Sequence, residues 1–455
     1  MANPASARSG GSVPEVFWIF LRLGLTSFGG PVAHLGFFRT EFVQRRRWFT
    51  DTAYADLVAL CQFLPGPASS QVGMAIGLQR AGAAGLVAAW LGFTLPSAVV
   101  LVAFAFGVQA LDAFGQGWLA GLKAAAAAVV AHAVLGMART LTPDLRRALI
   151  AATALVAVLA VPHPLVQVGV IVVAGLLGLI VLPRDFGAEA DEDASEVVED
   201  AIESGRDDAG PGGDNAGAGR DTAGSGRARA TDGHSSASGG RRGATNGHRS
   251  VGGRRMLPAV SLGLFALLLA ALPLLARWSG HGVVEMADVY YRTGALVFGG
   301  GHVVLPLLQT QVVTTGMVDT EAFLAGYGAA QAVPGPLFTF AAYLGAASSV
   351  PPSGILGAAV ALVSIFLPSA LLVLALLPYW DRLRRRIRVR RALAGVNAGV
   401  VGLLAAALVN PVITQGITTL WGLVIALAAF AALAWWKAPS WAVVLLAALA
   451  GFALL

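Results

Sequence analysis

Two arginines set inside apolar segments are the residues of this chain best suited to anion chemistry. Arg22 and Arg292 each stand six residues before the Phe of a Phe-Gly-Gly triplet, Phe28-Gly29-Gly30 and Phe298-Gly299-Gly300. A guanidinium offers a planar fork of donors that fits an oxyanion, and a charge within a membrane segment is costly enough to point to function. Two further triplets, Pro65-Gly66-Pro67 and Pro334-Gly335-Pro336, follow in the chain. Proline removes a backbone donor and disfavours helix for the residue before it, and glycine lets a ligand approach the backbone closely. Each triplet is therefore expected to interrupt a helix and to start a new half-helix, at Pro31, Pro67, Gly301 and Pro336. Four half-helix N-termini would present amide groups and positive dipole ends to an anion.

Smaller polar groups surround these triplets. Gln62 and Gln331 precede the Pro-Gly-Pro breaks, Ser97 and Ser369 sit in two "LPSA" segments, and Ser69, Ser70 and Gln71 follow the first break. The second break is followed instead by Phe338, Thr339 and Phe340, so one asymmetric site is expected rather than two equal ones. His34 and His302 flank the Phe-Gly-Gly breaks, where an imidazole could carry a proton near neutral pH. His132 and Asn397 lie in later spans, and Asp56, Glu285 and Asp288 are read as solvated at the interface. The lone cysteine, Cys61, is read as a small buried apolar residue.

The elements that position these residues come in two copies. "RLGLTSFGGPVAHL" (Arg22 to Leu35) returns as "RTGALVFGGGHVVL" (Arg292 to Leu305), and "QFLPGP" and "FTLPSA" return as "QAVPGP" and "IFLPSA". Hydrophobic residues make up 56% of the chain and charged ones 12%, with a mean hydropathy of +0.71. That composition excludes a soluble globular domain. Apolar runs long enough to cross a bilayer recur from end to end. No cleavable secretory signal is read at the start, so the first apolar segment should remain in place. Residues 184–255 differ: they hold 14 of the 25 acidic and 10 of the 31 basic residues and almost no large apolar side chains. Such a stretch cannot offset its ordering entropy and is expected to be a disordered cytoplasmic linker.

The arginines orient the spans, because positive loops lie in the cytoplasm. Arg39 and Arg45–Arg47 mark one basic loop, Arg80 a second, and Arg139, Arg146 and Arg147 a third, whereas the matching loops of the second copy carry no charge. Conversely "DRLRRRIRVRR" (Asp381 to Arg391) matches an Arg-free stretch of the first copy. All basic loops can be cytoplasmic only if the copies are inserted in opposite senses. The expected fold is an all-α polytopic membrane protein with two inverted-topology repeats, 1–183 and 256–455. Each would carry two re-entrant helical hairpins broken at the triplets, with nine crossings in all. At Phe-Gly-Gly, one long kinked span is the alternative to a hairpin. Inverted repeats of this kind commonly hold a substrate at mid-membrane.

"FGGPVAHLG", "QFLPGPASSQ" and "LPSA", with the second copies "FGGGHVVLP" and "QAVPGP", resemble the chromate ion transporter (CHR) family across both halves. Two departures are Gly301 in place of a proline and the long linker. The resemblance implies a two-domain inner-membrane protein that exports chromate and confers chromate resistance, with sulfate as a related anion. It carries over Arg22, Phe28, Gly29, Gly30, Pro31, His34, Gln62, Pro65, Gly66 and Pro67 as functional positions. The expected partners are a small inorganic oxyanion and the lipid bilayer, with a homo-oligomer left open and no nucleic acid, metal or cofactor. An anion channel is a competing class. A membrane-embedded phosphatase is another, but it would need acids or a nucleophile grouped with arginine at the hairpin tips, which here hold Gly and Pro. The chain is therefore read as a transporter and not an enzyme.

Overall fold

A computed structural model describes residues 11–111, 117–161, 164–183, 253–298, 304–380 and 386–455. Most of the linker, the second Gly-Gly with His302, and Asp381–Arg385 lie outside the described residues. The described chain is α-helical, with short 3-10 and π turns. In the first half, α1 (Val13–Thr26), α2 (Gly30–Arg39), α3 (Asp51–Phe63) and α4 (Ala68–Leu111) carry the breaks, and α5 (Gly117–Leu141), α6 (Leu145–Ala160) and α7 (Pro164–Val181) follow. The second half opens with an additional helix, α8 (Gly253–Ser279). Then come α9 (Gly282–Leu296), α10 (Val304–Val312), α11 (Thr320–Ala332) and α12 (Phe340–Ala346). The long α13 (Gly354–Leu376), α14 (Ile387–Ala407), α15 (Leu420–Ala434) and α16 (Ser440–Leu454) complete it.

Local chemistry explains these boundaries. Ser12 caps α1 through the Glu15 amide, with a proline in its first turn. Thr50 caps α3 through Ala53, and Asp319 caps α11 through Ala322, at matching places in the two copies. A cap satisfies one of the orphan amides of the first turn. Before each Pro-Gly-Pro the chain turns extended, at Leu64 and Val333, as a residue preceding proline should. Gly66 and Gly335 then take φ of +121° and +102°, a region that favours glycine.

The breaks are folded back on themselves. Phe20 on α1 stacks on Phe42, beyond α2, with ring centroids 5.2 Å apart. A single kinked span would hold these rings about 30 Å apart, so the Phe-Gly-Gly break is a hairpin. Phe323 and Phe340 meet at 5.2 Å across the second Pro-Gly-Pro. α4 is two helices joined at Ala81–Gly82, where Gly77 packs against the Gly85 backbone. That break lies at the basic position Arg80, as expected. After Pro336 the chain first makes a 3-10 turn, Leu337–Thr339, and α12 begins only at Phe340.

Among the described residues, five helices are long and apolar enough to cross a membrane: Ala68–Gly107, Gly117–Leu141, Met256–Ser279, Gly354–Tyr379 and Ile387–Gly416. α6, α7, α15 and α16 are shorter, with 15 to 18 residues. They fall below the roughly 20 residues of a full crossing, so the nine expected crossings are not all full-length. Prolines near their ends (Pro164 and Pro439) cut them short. α8 is helical from Gly253.

The two halves interlock. α5 packs against α11, α15 and α16 of the second half, while its counterpart α14 packs against α6 and α7 of the first. Close backbone contact makes this packing dense: Gly121 lies on the Ala447 carbonyl and Gly395 on that of Ala174. Small residues at helix crossings serve this purpose in membranes. Arg146 and Arg391, from opposite halves, both donate to last-turn carbonyls of α7, those of Val181 and Leu179. Two basic loops thus share the end of the molecule from which the linker departs.

Candidate anion-binding site

Each half's Pro-Gly-Pro break is bonded to the other half's Phe-Gly-Gly break. The Gly66 amide donates to the Val297 carbonyl at 2.6 Å, and the Gly335 amide donates to the Ser27 carbonyl at 2.9 Å. Ser27 and Val297 occupy the same position in the two copies, immediately before the Phe. The "LPSA" serines complete the reciprocity: a Cβ on Gly66 would lie 2.1 Å from Ser369 Oγ, and one on Gly335 would lie 2.8 Å from Ser97 Oγ. Glycine is required at both places, for space and for backbone angle alike. These contacts bring all the described breaks to one centre.

Polar groups converge on the first-half side of that centre. His34, on α2, is 1% exposed, and its Nδ1 stands 3.4 Å from Ser69 Oγ in the first turn of α4. Its ring meets Phe93 edge-on at 5.2 Å and lies close to the Ser27 backbone. Gln71 reaches back across the break, donating to the Pro65 carbonyl at 2.6 Å and weakly to Ser369 Oγ at 3.3 Å. Ser27 Oγ, His34 Nε2, Ser70 Oγ, Gln71 Oε1 and Thr94 Oγ1 are buried and make no hydrogen bond of normal geometry among the described residues. Buried polar groups are nearly always paired, and each exception calls for a ligand or another explanation. These five stand on or beside the segments that meet at the breaks, between helices of a membrane protein, and mark the candidate site.

The arginines are held in ion pairs. Arg22 Nη2 pairs at 2.7 Å with Glu41 Oε2, which also meets Arg45 at 3.2 Å, while Glu41 Oε1 meets Arg46 at 2.7 Å. Glu41 is buried and belongs to a π-helical turn, Thr40–Arg45, of the kind found most often at functional sites. Glu15 bridges Arg46 and Arg80 at 3.6 Å each, and Arg80 lies over the Trp48 ring at 4.4 Å. Arg292 pairs at 2.5 Å with Asp288 one turn earlier. Asp288 is thus buried against a guanidinium, a correction to its reading as a solvated interfacial acid.

Of the residues singled out in the sequence, the structure gathers His34, Pro65, Gly66, Pro67, Ser69, Pro334, Gly335, Ser97 and Ser369. Gln62 is exposed at the end of α3, and Gly29 is exposed at its break. Phe28 is half-buried, its ring 5.9 Å from that of Trp441; Phe298, Gln331 and Pro31 are half-buried and Pro336 is buried. Gly299, Gly300, Gly301 and His302 lie outside the described residues. His132 is exposed, against Phe430. Cys61 is buried, as read. Sequence reasoning did not assign Ser27, Thr94 or Glu41 to the site. The signal for Glu41 was a single acid within "FRTEFVQRRR", and the signal for Thr94 was its place one turn before Ser97.

Comparison with known proteins places this arrangement. The chain is 28% identical over 406 residues to a chromate transport protein of Pseudomonas aeruginosa, covering 88% of this chain and 81% of that one. It is 24% identical over 407 residues to a probable chromate transport protein of Synechococcus elongatus, covering 88% and 84%. A chromate transport protein of Cupriavidus metallidurans is 35% identical over 89 residues, 20% of this chain and 22% of that one. No solved structure matches significantly. The family profile described as chromate transporter matches residues 14–179 and 284–452, so it spans both sets of breaks and every buried polar group of the pocket. This multi-pass membrane chain belongs to the chromate transporter family.

Proposed function

We propose that this chain exports chromate across the cytoplasmic membrane by secondary transport, with sulfate as a related anion, and so confers chromate resistance. The supporting observation is the cluster of five buried, unpaired polar atoms where the breaks of the two halves meet. In this reading the halves, 1–183 and 256–455, are inserted in opposite senses, and the reciprocal Gly66–Val297 and Gly335–Ser27 bonds lie on their pivot. Rocking about such a pivot would expose the pocket to one side and then the other. Arg22 and Arg292 supply positive potential about one and a half turns from the breaks. Glu41 and Asp288 hold them there and limit the cost of burying them. Export of a dianion is favoured by a negative-inside potential, by about 2.3 kcal/mol per charge per 100 mV. Voltage alone can therefore drive it, and His34 need not carry a proton.

Inside-out vesicles containing the full chain should accumulate labelled chromate when a potential is imposed and lose the gradient with an uncoupler. Arg22→Ala and Arg292→Ala should each abolish uptake while the protein remains in the membrane. Uptake equal to that of protein-free vesicles would overturn the proposal. Single-channel currents far above carrier turnover would replace a carrier with a channel.

A further inference from the structure

We infer that the oxyanion is gripped by uncharged donors of the first half, and that this grip selects a tetrahedral dianion bearing no proton. The inference rests on the reading above that the chain carries an oxyanion. The grip consists of Ser27, His34, Ser70 and Thr94 around the first turn of α4. Each of these side chains is at least 97% buried, and each leaves a polar atom without a bond among the described residues. The α4 amides ahead of Gln71, whose own amide is taken by the Pro67 carbonyl, add the donors and dipole of a helix N-terminus. No guanidinium enters the grip, because Arg22 is held by Glu41 and Arg292 by Asp288. Among the described residues no carboxylate enters it either.

That last feature sets the selectivity. Chromate, sulfate and selenate at neutral pH carry two charges and no proton, so they only accept hydrogen bonds. Phosphate and arsenate keep a proton and need an acceptor strong enough to take it. Beside the His34 ring nitrogen, the unpaired obligate acceptor among the described residues there is Gln71 Oε1, a neutral amide oxygen whose orientation is fixed by the bonds of Nε2 to Pro65 and Ser369. A binding site made to donate rejects a ligand whose own donor it cannot satisfy, since the unmet group bears its full desolvation cost. The second half contributes no such donors at the matching positions, which are Val297, Val304, Thr339 and Phe366. Thr339 already spends its hydroxyl on the Pro336 carbonyl.

The test uses proteoliposomes of the full chain and labelled chromate at mildly alkaline pH, where selenate and arsenate are dianions of similar size that differ by one proton. Selenate should compete with chromate and arsenate should not. Ser70→Ala and Thr94→Val should each raise the half-saturating chromate concentration roughly ten-fold or more, the loss of one hydrogen bond to a charged group. Thr94→Ser should restore it, which separates binding from misfolding. Equal competition by arsenate, or unchanged saturation in both variants, would overturn the inference while leaving chromate transport intact. Wild-type vesicles that move neither chromate nor sulfate would instead remove the underlying reading.

Discussion

The two broken centres share one backbone plan and differ in their side chains. Ser27, His34, Ser69, Ser70, Gln71 and Thr94 in the first half stand opposite Val297, Val304, Phe338, Thr339, Phe340 and Phe366 in the second. Where Ser69 and Thr94 leave polar space, Phe338 and Phe366 touch each other with centroids 5.9 Å apart. Phe340 stacks on Tyr343 and meets Tyr327. One centre has kept its polarity unpaired, and the other is filled with aromatic rings. On the proposed reading the matched frames divide the work: one half would hold the anion and the other would provide a rigid counterface.

Grafting one centre onto the other should give the largest effect. Ser69→Phe together with Thr94→Phe should fill the first centre and reduce chromate flux at least a hundred-fold. The reverse graft, Phe338→Ser with Phe366→Thr, should preserve binding but remove two fully buried rings, at about 3–5 kcal/mol each. Flux assays and thermal unfolding in detergent would distinguish the two; transport surviving the first graft would place the site elsewhere.

The pivot glycines come next. Gly66→Ala and Gly335→Ala both force a side chain into a positive-φ backbone, costing about 1–3 kcal/mol. Gly66→Ala should unfold at the lower temperature, because its methyl would stand closer to a serine hydroxyl. Ser369→Gly should relieve only that added part. Equal melting of both variants would mean that the Ser369 contact yields easily.

The smallest expected effects lie at the two arginine anchors. Glu41→Gln removes the carboxylate shared by three guanidiniums, of which Arg46 keeps Glu15, and Asp288→Asn strands one. Removing one partner of a fully buried pair costs 3–5 kcal/mol, but solvent screens Arg22 and Arg45, so about 1–2 kcal/mol is expected for Glu41→Gln and less for Asp288→Asn. Calorimetry at low and high salt would check both the order and its attenuation.

The breaks were legible because proline and glycine act locally, through missing donors and permitted angles. The hairpin at Phe-Gly-Gly was open in the sequence, since nothing in the residues says whether Phe20 will meet Phe42. The Glu41 partner of Arg22 was not legible, because it lies 19 residues away on a π turn that no periodicity announces. Hydroxyls such as Thr94 were passed over for a related reason. A serine or threonine in an apolar helix usually bonds a carbonyl in its own preceding turn, as Thr293 does with Val289. Only packing reveals the ones that do not.

The crossed bonds at Gly66 and Gly335 make each half the template that finishes its sibling. A fragment ending before the linker would be left with an amide and a carbonyl unclosed at its heart, and should not persist alone. Fragments 1–183 and 253–455 synthesised together should reassemble, with the linker serving only to keep them at hand.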